Sequence, residues 1–125
     1  MDFIATSDAP KAIGPYSQAV RMHGVLYTSG QVALDPATGE LVGPDFAAQT
    51  RRVFENLKAV LKEAGADFTN VMKATVFVTD LANFQTLNTI YAEYMGDHKP
   101  ARTTVQVSGL PKGALVEIDL VATLR

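Results

Sequence analysis

An arginine stands at the start of a β-branched run, Pro100-Ala101-Arg102-Thr103-Thr104-Val105-Gln106-Val107. The proline stiffens the approach, and the residues after it are typical of a strand. A guanidinium at the root of a strand presents a planar fork of donors, which fits a carboxylate through two parallel hydrogen bonds. The plainer interpretation is a surface arginine paired with a neighbouring acid. Arg102 is therefore a candidate carboxylate-binding residue.

Two carboxylates lie on the last predicted strand, residues 114–122. Glu117 and Asp119 alternate there with an entirely apolar row, namely Val116, Ile118, Leu120 and Ala122. Since two helices can cover only one face of a sheet, we expect the apolar row to lie beneath them. The same alternation predicts Val105 and Val107 beneath the helices and places Arg102, Thr104 and Gln106 on the open face. Arg102 and Glu117 are thus expected to share one uncovered face.

A tight hairpin is predicted where residues 17–22 and 25–29 flank His23-Gly24. Because histidine tolerates positive φ, we interpret His23 as a turn residue. The hairpin register brings Gly14-Pro15-Tyr16-Ser17 together with Ser29-Gly30-Gln31. Each stretch alone is consistent with turn chemistry, but their convergence favours a functional site at that end of the hairpin.

Two segments have helical periodicity. Residues 46–64 repeat apolar side chains at helical spacing until Gly65, and Arg51-Arg52 is interpreted as part of the solvated side. A second helix is predicted to begin after Asn83, as N-cap, and to end at Gly96. Its apolar stripe comprises Phe84, Leu87, Ile90, Tyr91, Tyr94 and Met95. At the edge of this stripe lies Asn88, expected to be partly buried and hydrogen-bonded.

The clearest strand is residues 71–79, with Met72, Ala74, Val76 and Val78 predicted on its buried side. The open face would carry Phe77, Leu115 and Val121 beside the carboxylates. A sheet face that mixes apolar and specific polar residues is rarely left bare. We therefore expect a second subunit to cover it.

The composition excludes several classes of protein. The 125 residues predict one domain, 1–125, and the absence of cysteine excludes disulfides and thiolate chemistry. A net charge of -2 gives no long-range attraction for nucleic acid. Neither a signal peptide nor a membrane span is predicted, so we expect a cytoplasmic protein without membrane partners. His23 and His98 stand alone, and we expect neither a metal site nor a cofactor.

Six motifs together carry a family resemblance. They are Gly14-Pro15-Tyr16-Ser17-Gln18, Thr28-Ser29-Gly30-Gln31, Thr75-Val76-Phe77-Val78-Thr79-Asp80-Leu81, Asn88, Pro100-Ala101-Arg102-Thr103 and Val116-Glu117-Ile118. In this order and at this spacing, the sequence resembles the RidA (YjgF) family of imine deaminases over essentially its whole length. The resemblance implies an α+β fold of the Bacillus chorismate mutase type, a mixed six-stranded sheet with two helices on one face. It also implies that the last strand lies between the hairpin and strand 71–79, and that three copies form a homotrimer with inward-facing sheets and sites at the subunit interfaces.

The same resemblance implies an activity. Members hydrolyse reactive 2-imino acids or their enamine tautomers, such as 2-aminoacrylate and 2-iminobutyrate, to 2-keto acids and ammonia, which limits metabolite damage. Carried over by position, Arg102 would hold the substrate carboxylate, and Glu117 would bind and polarise the attacking water. The pocket would be lined by Tyr16, Ser29, Gly30, Asn88 and Thr104. Many members have a cysteine where this sequence has Thr104, so thiol-dependent behaviour is not expected here.

Other functions stay open at this point. A non-catalytic trimer that binds small carboxylates would use Arg102 but would not need Glu117. An endoribonuclease disagrees with the acidic charge balance and the lack of a histidine pair. Chaperone-like holding of unfolded proteins leaves no mark in the sequence.

Overall fold

The computed structural model describes residues 1–124, and Arg125, the last residue of the predicted domain, lies outside them. It contains six strands and two main helices, joined by turns and short 3-10 segments. In chain order these are β1 (Asp2–Ile4), β2 (Ala19–Met22), β3 (Val25–Thr28), α1 (Phe46–Glu63), β4 (Val71–Val78), α2 (Phe84–Met95), β5 (Ala101–Gln106) and β6 (Val116–Thr123).

The strands form one mixed sheet in the order β1-β2-β3-β6-β4-β5. β4 and β5 run parallel, and every other pair is antiparallel. The last strand therefore lies between the hairpin and β4, which confirms the topology that the resemblance implied. The sequence analysis left β1 unassigned, because three residues are too few to show an alternating pattern.

The hairpin forms as predicted. Met22 pairs with Val25, and Val20 pairs with Tyr27. His23 adopts a positive φ of 52° in the loop, which confirms its role as a turn residue.

Helix α1 covers one face of the sheet. Asp45 begins it by accepting a hydrogen bond from the Ala48 amide at 2.8 Å, and the helix ends just before Gly65, whose φ is 80°. Its apolar side is fully buried, as predicted: Phe46, Thr50, Val53, Phe54, Leu57, Val60, Leu61 and Ala64. Burying each large apolar side chain contributes about 1.5–3 kcal/mol, so this side fixes the helix on the sheet.

Helix α2 lies beside α1 and is joined to it through aromatic rings. The Phe54 ring stacks on the Tyr94 ring, with 4.7 Å between their centroids, and meets the Tyr91 ring edge-on, with 5.8 Å between their centroids. Asn83 precedes the helix as predicted, but its side chain makes no capping bond; Asp80 instead caps the preceding short turn. Phe84 is 42% exposed and does not belong to the core.

Strand β4 lies between β6 and β5 and sets which side chains face the helices. Ala74, Val76 and Val78 are buried, as predicted. The register with β6 shifts between Val71 and Lys73, and this bulge buries Val71 and exposes Met72. The prediction that Met72 lies on the buried side was therefore wrong.

The prediction that Arg102 lies on the open face of the sheet was also wrong. In the parallel register of β4 and β5, Arg102 pairs with Ala74 and Thr104 pairs with Val76, whereas Val105 pairs with Phe77. Directly paired residues point to the same side of a sheet. Arg102, Thr104 and Gln106 therefore lie on the helix side. Val105, predicted beneath the helices, lies on the open side with Phe77.

The open face of the sheet carries apolar side chains that no helix covers. Tyr27 is 50% exposed and Val105 is 37% exposed. Glu117 pairs with Phe77 and Asp119 pairs with Thr75, so both carboxylates lie on this face, as predicted. Within residues 1–124, neither helix has the length and apolar character needed to cross a membrane.

Candidate functional site

Arg102 lies against two aromatic rings of α2. Its Cζ atom is 4.8 Å from the centroid of the Tyr91 ring and 5.4 Å from that of Phe84. Residues 84, 88 and 91 recur at i, i+4 and i+7, so Asn88 lies on the same helix face, between the two rings along the chain. We call Phe84, Asn88, Tyr91, Arg102 and Thr104 the arginine cluster.

The charge of Arg102 has no acidic partner within residues 1–124. The ion pairs of that range are Arg21 with Asp2 and Arg51 with Glu93, both at the surface. The guanidinium carbon lies over the faces of both rings, and no hydrogen bond to a side chain or backbone group of residues 1–124 uses its N–H donors. Arg102 is thus held in place with its hydrogen-bonding edge unused.

Other polar groups of the arginine cluster also lack partners. The hydroxyls of Tyr91 and Thr104 are buried and accept or donate no hydrogen bond within residues 1–124. Asn88 is half-buried, and the hydrogen bond predicted for its side chain is not formed among these residues. Most buried polar groups are satisfied, so the orphan Thr104 hydroxyl and the unbonded Asn88 side chain, beside one unpaired cation, favour a binding surface here.

A second group of predicted residues lies where β3 leaves the hairpin. Ser29 extends the hairpin ladder through its amide, which donates to the Gln18 carbonyl at 2.9 Å. The Ser29 hydroxyl donates to the Ser17 carbonyl at 2.6 Å. Gln31 and Ile118 then exchange backbone hydrogen bonds of 2.9 and 3.1 Å, which fixes this segment against β6.

Glu117 lies directly over Gly30. A β-carbon built on Gly30 would collide with the Glu117 carboxylate. Gly30 therefore leaves the space that the carboxylate occupies. We call Ser29, Gly30 and Glu117 the carboxylate cluster.

Burial and a neighbouring charge both act on Glu117. Desolvation is the larger cause, and Asp119 two residues further on is the second; both raise the pKa of the Glu117 carboxyl above its ordinary value. Asp119 is itself desolvated, which raises its pKa, although a hydrogen bond from Thr75 opposes the shift. A carboxylate with a raised pKa is a stronger base than an ordinary glutamate, which suits a group that accepts and returns a proton.

Tyr16 lies at the edge of a groove under the N-terminal segment. The groove has a volume of about 580 Å³, and Ile4, Ala9, Ser17 and Gln18 form part of its wall. Tyr16 is 55% exposed, and its hydroxyl accepts only a long hydrogen bond of 3.4 Å from the Ile13 amide. Its ring is therefore accessible to a ligand.

The two clusters do not meet within one chain. β4 separates β6 from β5, and neighbouring strands are about 4.8 Å apart, so Arg102 and Glu117 start from strands roughly 10 Å apart. They also point to opposite faces of the sheet. The predicted residues thus form two half-sites, and one small molecule cannot contact both in a single chain.

Two neighbours of Arg102 were missed as functional residues by the sequence analysis. Phe84 and Tyr91 were assigned to the core stripe of α2, although their spacing already placed them on the same helix face as Asn88. Nothing in the sequence showed that β5 would pass beneath that face. Among residues 1–124, no three histidine or carboxylate side chains group closely enough to hold a metal ion.

Known proteins resemble this chain over nearly its whole length. A family model described as endoribonuclease L-PSP matches residues 6–124. The 2-iminobutanoate/2-iminopropanoate deaminase of Homo sapiens is 47% identical over 119 residues, which cover 95% of this chain and 87% of the human protein.

Solved structures are also similar along nearly the full chain. RidA from the Antarctic bacterium Psychrobacter superposes with a TM-score of 0.95 at 43% identity, covering 98% of both chains. A structure of E. coli TdcF with bound serine superposes with a TM-score of 0.93 at 40% identity, again covering 98% of both chains.

Proposed function

Since this chain belongs to the endoribonuclease L-PSP family, the family of the RidA (YjgF) proteins, we propose that it hydrolyses 2-imino acids and their enamine tautomers. The products would be the corresponding 2-keto acids and ammonia. A relative with 47% identity is named for this reaction on 2-iminobutanoate and 2-iminopropanoate, which supports the same substrate class here.

The observation that carries the proposal is that Arg102 is packed against aromatic rings but is not paired with an acid. It is supported by two rings and has no acidic partner within residues 1–124. A half-buried guanidinium with a free donor fork favours binding of a carboxylate, the group that every 2-imino acid carries. The serine bound in the TdcF structure is also a small molecule that carries a carboxylate.

The separation of the half-sites supports a shared site between subunits. We propose that the arginine cluster of one copy faces the carboxylate cluster of a second copy in a homotrimer. The exposed apolar side chains of the open face, among them Tyr27 and Val105, favour such an assembly because they are otherwise left in water.

The proposed chemistry needs few groups. Arg102 would hold the substrate carboxylate, while Asn88, Thr104, Tyr16, Ser29 and Gly30 would line the pocket. A water oxygen would attack the imine carbon as Glu117 takes one of its protons. Glu117 would return this proton to the imine nitrogen, which gives a carbinolamine. Glu117 would then move the hydroxyl proton of the carbinolamine to its nitrogen, so that the C–N bond breaks, the C=O bond forms and ammonia leaves. Orientation supplies much of the rate, since the imine carbon is already electrophilic.

The alternatives gain less from the structure. A ribonuclease would need an acid-base pair at the site, whereas His23 occupies a hairpin turn and His98 bonds the Val71 carbonyl at 2.6 Å. A carboxylate-binding trimer without catalysis would use Arg102 but would give no role to the Glu117 carboxylate over Gly30.

One assay tests the proposal. A threonine dehydratase generates 2-iminobutyrate, and its disappearance is followed with wild-type protein, Arg102→Ala, Glu117→Gln and the surface control Arg21→Ala. We expect faster loss of the imine with wild type and the control than with buffer, and little acceleration by the other two variants. Wild-type protein that binds 2-oxobutyrate but does not accelerate the loss would identify a binding protein instead.

A further inference from the structure

We propose that Tyr91 is a positioning residue, which acts through Arg102 to hold the carboxylate-binding fork in place. This inference rests on the proposed function, because Arg102 is taken as the substrate clamp. The ring of Tyr91 is the nearer of the two supports, at 4.8 Å from Arg102 Cζ.

Tyr91 connects Arg102 to the rigid core of the molecule. Its ring meets Phe54 edge-on at 5.8 Å, and Phe54 is completely buried between the helices and the sheet. Phe84 occupies the first position of α2 and is 42% exposed, so it is the less constrained ring. Tyr91 is thus the ring that fixes Arg102 relative to the core.

An aromatic support differs from an acidic one in what it leaves free. A carboxylate partner would bind the in-plane N–H donors of Arg102, which are the donors that a substrate needs. A ring attracts the cation through its face and leaves those donors unused. Tyr91 therefore holds the charge without competing with the substrate.

The ring, and not the hydroxyl, has this role. The Tyr91 hydroxyl is buried and has no partner within residues 1–124. Desolvation also raises the pKa of the phenol, so it stays neutral and adds no charge near Arg102 at physiological pH. Phenylalanine at this position should keep the support and remove an unsatisfied polar group.

The test compares four variants. Tyr91→Leu and Tyr91→Met remove the ring, the second with a flexible side chain that fills irregular space. Tyr91→Phe retains the ring. Tyr94→Leu is the matched control, because Tyr94 lies one turn further along α2 and stacks on the same Phe54 but does not contact Arg102.

Binding of 2-oxobutyrate by calorimetry and the separate kinetic constants are the first readouts. Loss of the ring should weaken binding about threefold to tenfold and raise KM more than it lowers kcat. Tyr91→Phe should stay close to wild type, and Tyr94→Leu should lower the melting temperature without changing the affinity. Combining Tyr91→Leu with Arg102→Ala should add no further loss of affinity.

Relaxation of the Arg102 Nε–Hε resonance gives a readout that needs neither ligand nor turnover. We expect a rigid side chain in wild type and Tyr91→Phe, and a mobile one in Tyr91→Leu and Tyr91→Met. Equal mobility in all four proteins would overturn the inference, as would a loss in Tyr91→Phe as large as in Tyr91→Leu. If these differences in Arg102 mobility are observed but the wild-type protein does not hydrolyse the imine, the proposed function is refuted and the positioning role of Tyr91 is not.

Discussion

At the scale of single residues, the two proposed catalytic groups differ in how their charges are held. Arg102 rests on aromatic faces and keeps its donors, while Glu117 is desolvated over a glycine and beside another carboxylate. The first arrangement stabilises a permanent charge, and the second favours a group that changes its charge. This contrast agrees with the proposed roles, in which Arg102 binds the substrate carboxylate and Glu117 carries a proton.

Arg102→Lys should separate a clamp from a simple positive charge. Lysine offers a point charge on a flexible stem and cannot form the bidentate fork. Losing one charge-assisted hydrogen bond costs roughly 1.5–3 kcal/mol, so imine hydrolysis should fall at least about tenfold in kcat/KM. Since Arg102 has no ion pair within residues 1–124, the melting temperature should stay within a few degrees. A lysine variant with wild-type kinetics would contradict the clamp.

Glu117→Gln should change stability in a pH-dependent way. Below the ordinary pKa of 4.5, the carboxyl is protonated in both folded and unfolded chains, so the two proteins should be equally stable. As pH rises through the raised folded pKa, burial disfavours the charged form, and wild type should lose stability relative to the glutamine variant. Thermal melts from pH 4 to 8 measure this difference. Turnover of the variant should fall more than its affinity for 2-oxobutyrate.

At the scale of elements, the carboxylate cluster depends on the segment between β3 and its bridge to β6. Ser29 is bonded to the hairpin and Gln31 to Ile118, so Gly30 is held from both sides. Glu117 takes the space over Gly30 because nothing else fills it. The Glu117 carboxylate can therefore occupy this position only because Gly30 has no side chain.

Gly30→Ala should displace the Glu117 carboxylate without unfolding the protein. The added methyl group would collide with a side-chain end that can rotate away, so the fold should survive and the melting temperature should change little. Turnover should fall about tenfold or more, because a misplaced proton carrier loses its alignment. Gly109→Ala is the control, since a β-carbon there contacts nothing within 4 Å. Equal activity of both variants would contradict the proposed role of Glu117.

At the scale of the whole molecule, the proposed site would require a second copy of the chain. The half-sites face opposite sides of one sheet, and the sheet itself lies between them. A monomer would leave both incomplete and would expose the apolar open face. Light scattering at micromolar concentration should therefore give the mass of a trimer.

Mixed trimers should recover activity from inactive variants. Arg102→Ala and Glu117→Gln are unfolded together, mixed in equal amounts and refolded. If each site takes its arginine from one chain and its glutamate from the next, about one quarter of the sites regain both wild-type groups. Each variant refolded alone is the control. Trimers that exchange chains but stay as inactive as these controls would place both residues of a site in the same chain.

The sequence by itself determined both helices and every strand except β1, together with most of the side chains that are buried between helices and sheet. The hairpin around His23, the buried side of α1 and the apolar row of β6 follow from local spacing, and the structure confirms each of them. Local rules succeed there because burial follows the period of the helix or strand. The motifs also predicted the family, which the comparisons confirm.

Only the tertiary structure decided where the chemistry lies. Alternation fixes which residues share a face within one strand, but the register of the neighbouring strand decides which face that is. The parallel pairing of β5 with β4 turned Arg102 toward α2, and a one-residue bulge exposed Met72. Both depend on contacts between segments far apart in the sequence. The support of Arg102 by Tyr91, and its separation from Glu117, could therefore be seen only in the folded chain.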